Sequence, residues 1–114
     1  MQNVNYKVAQ INGNPTVMLQ GEGTHKQYLF PFEKSYDADA AIEMLEELED
    51  VESRDEVIFC DKYISWGAIA FEFSKDGLDI AKELTLKFLD LKFPTVEVNI
   101  LEETFGTTAE AVPF

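Results

Sequence analysis

The sequence predicts one α+β domain, an antiparallel or mixed sheet of about five to six strands with two helices packed on one face. Three observations carry that expectation. The first third of the chain and parts of the region after residue 57 alternate apolar and polar residues, the period of a half-buried strand. Segments near 38–48 and 78–91 instead space apolar residues three and four apart, so each is an amphipathic helix. Each helix has a single apolar stripe, which suits covering a sheet. The length of 114 residues is that of one domain, large enough to bury roughly two thirds of its unfolded surface. Residues 1–104 are read as the domain and 105–114 as a tail.

The elements follow in order. Tyr6, Val8 and Gln10 alternate with Lys7, Ala9 and Ile11, and Asn12-Gly13 is a strong hairpin signal. Thr16–Gln20 returns as a second strand, with Pro15 tolerable at its entry. Gly21–Thr24 is a loop, and Gln27–Phe30 a third strand ended by Pro31. Ser35 or Asp37 is expected to cap the first helix, whose inner stripe is Ala38, Ala41, Ile42, Leu45 and Leu48. Val57–Cys60 reads as a strand buried on both faces, Asp61–Gly67 as a segment containing a turn, and Ile69, Phe71 and Phe73 as the inward side of another strand. Ser74 or Asp76 opens the second helix, with Ala81, Leu84, Phe88 and Leu91 inside, flanked by Leu78, Ile80 and Leu89. Pro94 stops it. Val96, Val98 and Ile100 alternate in a last strand. The tail lacks periodicity and is expected to be mobile unless a partner holds it. The order is β-β-β-α-β-β-α-β. The two βα units are loosely alike in order but not in residues, and no internal repeat or linker is read.

A hydrophobic fraction of 46% and fourteen aromatics argue against wholesale disorder despite the charge. The single cysteine, Cys60, allows no internal disulfide and suits a reducing cytoplasm. The start, MQNVNYKVAQ, lacks the basic and apolar regions of a signal peptide. No apolar run approaches the ~18 residues of a membrane span. The net charge of −13 repels nucleic acid and anionic membranes and attracts basic surfaces, including those with which other proteins hold nucleic acid.

That charge is uneven. DADAAIEMLEELEDVESRDE, residues 37–56, holds ten carboxylates and one cation, Arg54. The second helix carries Asp79, Lys82, Glu83 and Lys87, an ordinary solvated mixture with a favourable Glu83–Lys87 pair. The first has no lysine. Asp39, Glu43, Glu46, Glu47 and Asp50 share its outer face, and like charges at 39/43, 43/46, 43/47, 46/49, 46/50 and 47/50 cost on the order of 1–3 kcal/mol at low salt. Glu49, Asp50 and Glu52 also lie near the helix C-terminus, where the backbone dipole is already negative. Against a domain stability of ~5–15 kcal/mol this is tolerable but not trivial. A face built against local stability points to use. Its carboxylates rise ~5–6 Å per step, beside the ~3.4 Å of successive phosphates in one DNA strand, so it imitates a sparse phosphate track. A merely solvated face and a divalent-metal surface are the competing readings.

No catalytic set stands out. Asp37-Ala38-Asp39 lacks the further oxygen ligands and the glycine of a calcium loop. His25 and Cys60 are too few for a structural zinc site. Cys60 lies in an apolar run as a buried thiol, and a Cys60–His25 dyad is conceivable only as geometry. Gly21–Thr24 lacks the lysine and spacing of a phosphate loop. No carboxylate pair is singled out for glycoside chemistry. Tyr28, Phe30, Phe32 and Tyr36 are read mostly as core. Tyr63 and Trp66, near a turn, are candidate interface anchors.

In character the chain resembles phage-encoded inhibitors of host defence or nucleic-acid enzymes, DNA mimics and anti-CRISPR proteins among them. It equally resembles bacterial immunity proteins that neutralise basic toxin nucleases. The resemblance is one of composition and transfers no residue. The expectation is a non-enzymatic acidic protein without cofactor or metal, acting in the cytoplasm on a basic partner such as a nuclease. Its contact set would be Asp39, Glu43, Glu46, Glu47, Asp50, Glu52, Tyr63 and Trp66. The alternative is a structural or accessory module, acidic for solubility alone, that pairs into a homo-oligomer such as a dimer. An enzyme would need a cleft holding His25, Cys60 or a close carboxylate pair.

Overall fold

The computed structural model describes residues 3–94. The expected strand at 96–100 and the tail at 105–114 lie outside them. Within them the order is β1 (Val4–Ile11), β2 (Asn14–Gly21), β3 (Gln27–Pro31), α1 (Ser35–Leu48), a 3₁₀ turn (Arg54–Glu56), β4 (Ile58–Phe59), β5 (Tyr63–Trp66), β6 (Ile69–Glu72) and α2 (Lys75–Lys92). The α+β class stands. The single sheet does not: the strands form two antiparallel three-stranded meanders, β1-β2-β3 and β4-β5-β6.

The first meander turns at Asn12-Gly13, where both residues have positive φ (52° and 82°), as a type I′ hairpin requires. Val17 and Leu19 of β2 are fully buried. Tyr6 stands opposite Leu19 in the β1 register, and Tyr28 opposite it in that of β3. Both helices cover this face. Phe88 of α2 meets Tyr6 edge-on at 6.3 Å, and Lys87 lies 4.5 Å from the centre of the Tyr28 ring.

The second meander holds the main departure from expectation. Tyr63–Trp66 is a strand, joined to β6 by the two-residue loop Gly67-Ala68, with Gly67 at φ 58°. Glycine first in such a loop fits a type II′ turn. The alternation Tyr63-Ile64-Ser65-Trp66 was the available signal. β4 is not buried on both faces either. Among the described residues it pairs with β5 alone, and Ile58 remains 56% and Phe59 37% exposed, while Val57 just before it is buried.

The architecture is therefore βββα twice, which corrects the reading of no repeat. The buried helical positions 37, 38, 41, 44, 45 and 48 of α1 recur forty residues later as 77, 78, 81, 84, 85 and 88 of α2. A Phe-x-Phe precedes each helix, Phe30/Phe32 and Phe71/Phe73. Strand lengths of eight, eight and five against two, four and four hide the correspondence. The helices lie side by side and parallel. Asp37 meets Ser74 and Gly77 at one end, Met44 meets Thr85 midway, and Leu48 meets Lys92 at the other.

Ser74 caps α2, its hydroxyl accepting from the Gly77 N–H at 3.1 Å. α1 has no side-chain cap: Lys34 occupies the cap position, and Asp37 is the third helical residue, 2% exposed. The Asp37 carboxylate is instead taken by α2, accepting from the Ser74 N–H at 3.0 Å and hydroxyl at 2.5 Å. Among the described residues no helix is long and apolar enough to cross a membrane.

Candidate acidic interface on the first helix

The ten carboxylates of residues 37–56 divide into two groups. Three serve the fold. Asp37 holds Ser74. Glu49 accepts from the Tyr6 hydroxyl. Glu56 accepts from the backbone N–H groups of Glu52 (2.9 Å) and Ser53 (3.0 Å), closing a capping box on the 3₁₀ turn. Burial, then the hydrogen bond and charge of Glu49, with Glu46 adding, push the Tyr6 phenol well above its ordinary range.

The other seven, Asp39, Glu43, Glu46, Glu47, Asp50, Glu52 and Asp55, are exposed. Among the described residues none has a side-chain hydrogen bond, and the ion pair found there, Arg54–Asp90 at 3.0 Å, uses none of them. All six carboxylates of the expected contact set are in this free group. Asp39, Glu43, Glu46 and Glu47 project from α1. Asp50 and Glu52 do not: the helix ends at Leu48, with Glu49 as its cap, so the 46/50 and 47/50 pairs are not helical neighbours. Four like-charge pairs remain, at a cost of about 1–2 kcal/mol.

The repeat supplies a control at equivalent positions. Forty residues beyond Asp39, Glu43, Glu46, Glu47 and Asp50 stand Asp79, Glu83, Leu86, Lys87 and Asp90. Asp90 is neutralised by Arg54. The α2 face is thus mixed where the α1 face is acidic. The rest of the chain makes the same point. Outside residues 37–56 and the four glutamates 97, 102, 103 and 110, eight carboxylates face eight lysines.

Of the expected anchors, Trp66 is placed in the core, 5% exposed and stacked on Phe71 at 5.8 Å. It points inward because it shares a face of β5 with the fully buried Ile64. Tyr63 is 38% exposed. It lies on the outer face of the second sheet with Ile58. The aromatic that does belong to the row is Tyr36, 59% exposed. It precedes Asp39, Glu43 and Glu47 by three, seven and eleven residues and so shares their face. That spacing is legible; the run Tyr28, Phe30, Phe32 and Tyr36 reads mostly as core, and Phe32 is fully buried with Tyr28 and Phe30 packed against the core, so Tyr36 is the exception.

His25 is exposed in the loop between β2 and β3. Cys60 is half-buried rather than buried, and follows β4 in the other sheet. It lines a depression with Asp61, Lys62, Tyr63 and Glu72, without a histidine. Among the described residues no three His, Cys, Asp or Glu side chains are grouped to hold a metal ion. Comparison with protein-family models, curated proteins and solved structures finds no match.

Proposed function

We propose that the chain is a non-enzymatic acidic binding protein whose α1 face occludes a basic, nucleic-acid-handling site on a partner protein such as a nuclease. One observation carries the reading. The charge surplus of the described residues is concentrated in seven free carboxylates on one helix face and the turn after it, while the equivalent face of α2 is mixed. The contacts are Asp39, Glu43, Glu46, Glu47, Asp50 and Glu52, with Tyr36 as the aromatic among them and Tyr63 at most peripheral. Charge steering would speed association, and salt would slow it. Inhibition of a host defence enzyme by a phage protein, and neutralisation of a toxin nuclease, both fit this mode in a cytoplasmic setting.

The test is capture of partners on immobilised protein at low and high salt, beside a variant with Glu43, Glu46, Glu47 and Asp50 changed to Lys. Duplex DNA is then added as competitor. A nucleic-acid enzyme held by the wild type, released by salt and by DNA and missed by the folded variant is the expected outcome. Capture that ignores both the substitutions and the DNA rejects the face.

A second reading, the oligomerising module, is favoured by exposed apolar side chains at the β4 edge, Ile58 and Tyr63 on the outer face of the second sheet and Phe59 on the other face. It predicts a mass that rises with concentration and falls back on Ile58→Asp. A constant monomer mass across that range counts against it.

A further inference from the structure

Side-by-side parallel helices bring like ends together. Here the C-terminal ends of α1 and α2, each carrying about half a negative charge, are neighbours, and Glu46 and Glu49 add to the field. Each end meets a cation from outside its own helix. Lys92, in the last turn of α2, is only 6% exposed. Its ammonium donates to the carbonyl of Leu48 at 3.3 Å and to that of Glu49, both at the end of α1. Arg54, in the segment after α1, donates to the carbonyls of Leu89 (3.4 Å) and Phe93 (3.2 Å) at the end of α2. It is held there by Asp90. At the opposite ends, Asp37 of α1 binds the cap residue of α2.

We infer that these crossed contacts form a reciprocal clamp: α2 fixes the end of α1 through Lys92, the segment that follows α1 fixes the end of α2 through Arg54, and the second unit thereby holds the acidic end of α1 in one geometry. Lys92 is a positioning residue for Glu46, Glu47 and Asp50, which it does not touch. The only cation of the acidic stretch, Arg54, serves the other helix and neutralises none of the free row. The clamp rests on the contacts alone and stands whether or not the α1 face binds a partner.

The test is residue-resolved amide hydrogen exchange on the full chain, for wild type, Lys92→Met and Arg54→Met. Methionine keeps the stem and removes the charged head. The clamp requires crossed effects. Lys92→Met should speed exchange in the last turn of α1 on the order of tenfold, with the first turns of α2 unchanged. Arg54→Met should do the same to the last turn of α2 and spare α1. Lys92→Arg, which restores a cation, should return the α1 end towards wild-type protection. Acceleration confined to α2 in Lys92→Met, equal acceleration throughout both helices, or none, overturns the clamp. Should Lys92→Met fail to fold, Arg54→Met, on a 40% exposed side chain, decides alone.

Discussion

At Gly77 a β-carbon would collide with Asp37 Oδ2 and stand 2.6 Å from its Cγ. Asp37 cannot swing aside, because its carboxylate is buried and bonded to Ser74. Alanine is otherwise the better helix former by ~1 kcal/mol. Gly77→Ala is nevertheless expected to destabilise by about 1–3 kcal/mol through overpacking. In an Asp37→Ala background the same change should become neutral or favourable, and urea midpoints of the four proteins measure that coupling. Tyr6 gives a second test. Its folded-state pKa lies above the ordinary value of about 10. Its contribution is therefore full below about pH 10 and is lost as pH rises towards the folded value. The stability advantage of wild type over Tyr6→Phe should hold from pH 7 to 9 and shrink above 10. An advantage that grows in alkali would contradict the Glu49 contact. Neither partner was legible in the sequence, since Asp37 and Ser74 are 37 residues apart and Tyr6 and Glu49 are 43. Composition shows that carboxylates are abundant, and only folding sorts the three structural ones from the seven free.

The helices were the readable elements, because a 3.6-residue period over fourteen and eighteen residues leaves little choice of face. Their inner stripes stand nearly as expected: Ile42 and Leu91 are only half-buried, and Asp37, Met44, Gly77, Thr85 and Lys92 are additions. Lys92 was unreadable as a buried residue because its partners are carbonyls of the other helix. The short strands were harder. β4 has two residues and β5 four, too few for alternation to show which face is covered. On α1 itself, the crowding of like charge predicts that Glu43→Gln and Glu47→Gln stabilise the protein. Each should contribute a few tenths of a kcal/mol at low salt. The pair should raise the melting temperature measurably, and 1 M salt should erase most of the gain. A pair that leaves the melting temperature unchanged at low salt would mean that the row carries no penalty, and would remove one reason for assigning it a use.

Over the whole molecule, class and helix placement were legible, whereas the division into two meanders was not. A single sheet is the economical arrangement of strands on paper. The second meander instead closes on itself through tight turns and is completed by packing. It leans on the rest of the molecule: its strands are only two to four residues long, at or below the short end of the usual range, and among the described residues its outer strands pair on one side only. Its Ile64 and Trp66 belong to the same buried cluster as Val17, Leu19 and Phe32 of the first unit and the inner stripes of both helices. With the helix ends crossed as well, the two units should unfold together. Trp66 is the only tryptophan and sits in the second unit, so its fluorescence reports that unit. Amide exchange of β1 and β2 reports the first. In urea the Trp66 transition should coincide with loss of helical circular dichroism, with one midpoint and one slope. The slowest amides of β2 and α2 should share one opening free energy. A Trp66 transition at lower urea than the helical one would show the second unit leaving first. The acidic face would then rest on a support that comes and goes, and a rigid, preorganised surface could not be what α1 offers a partner.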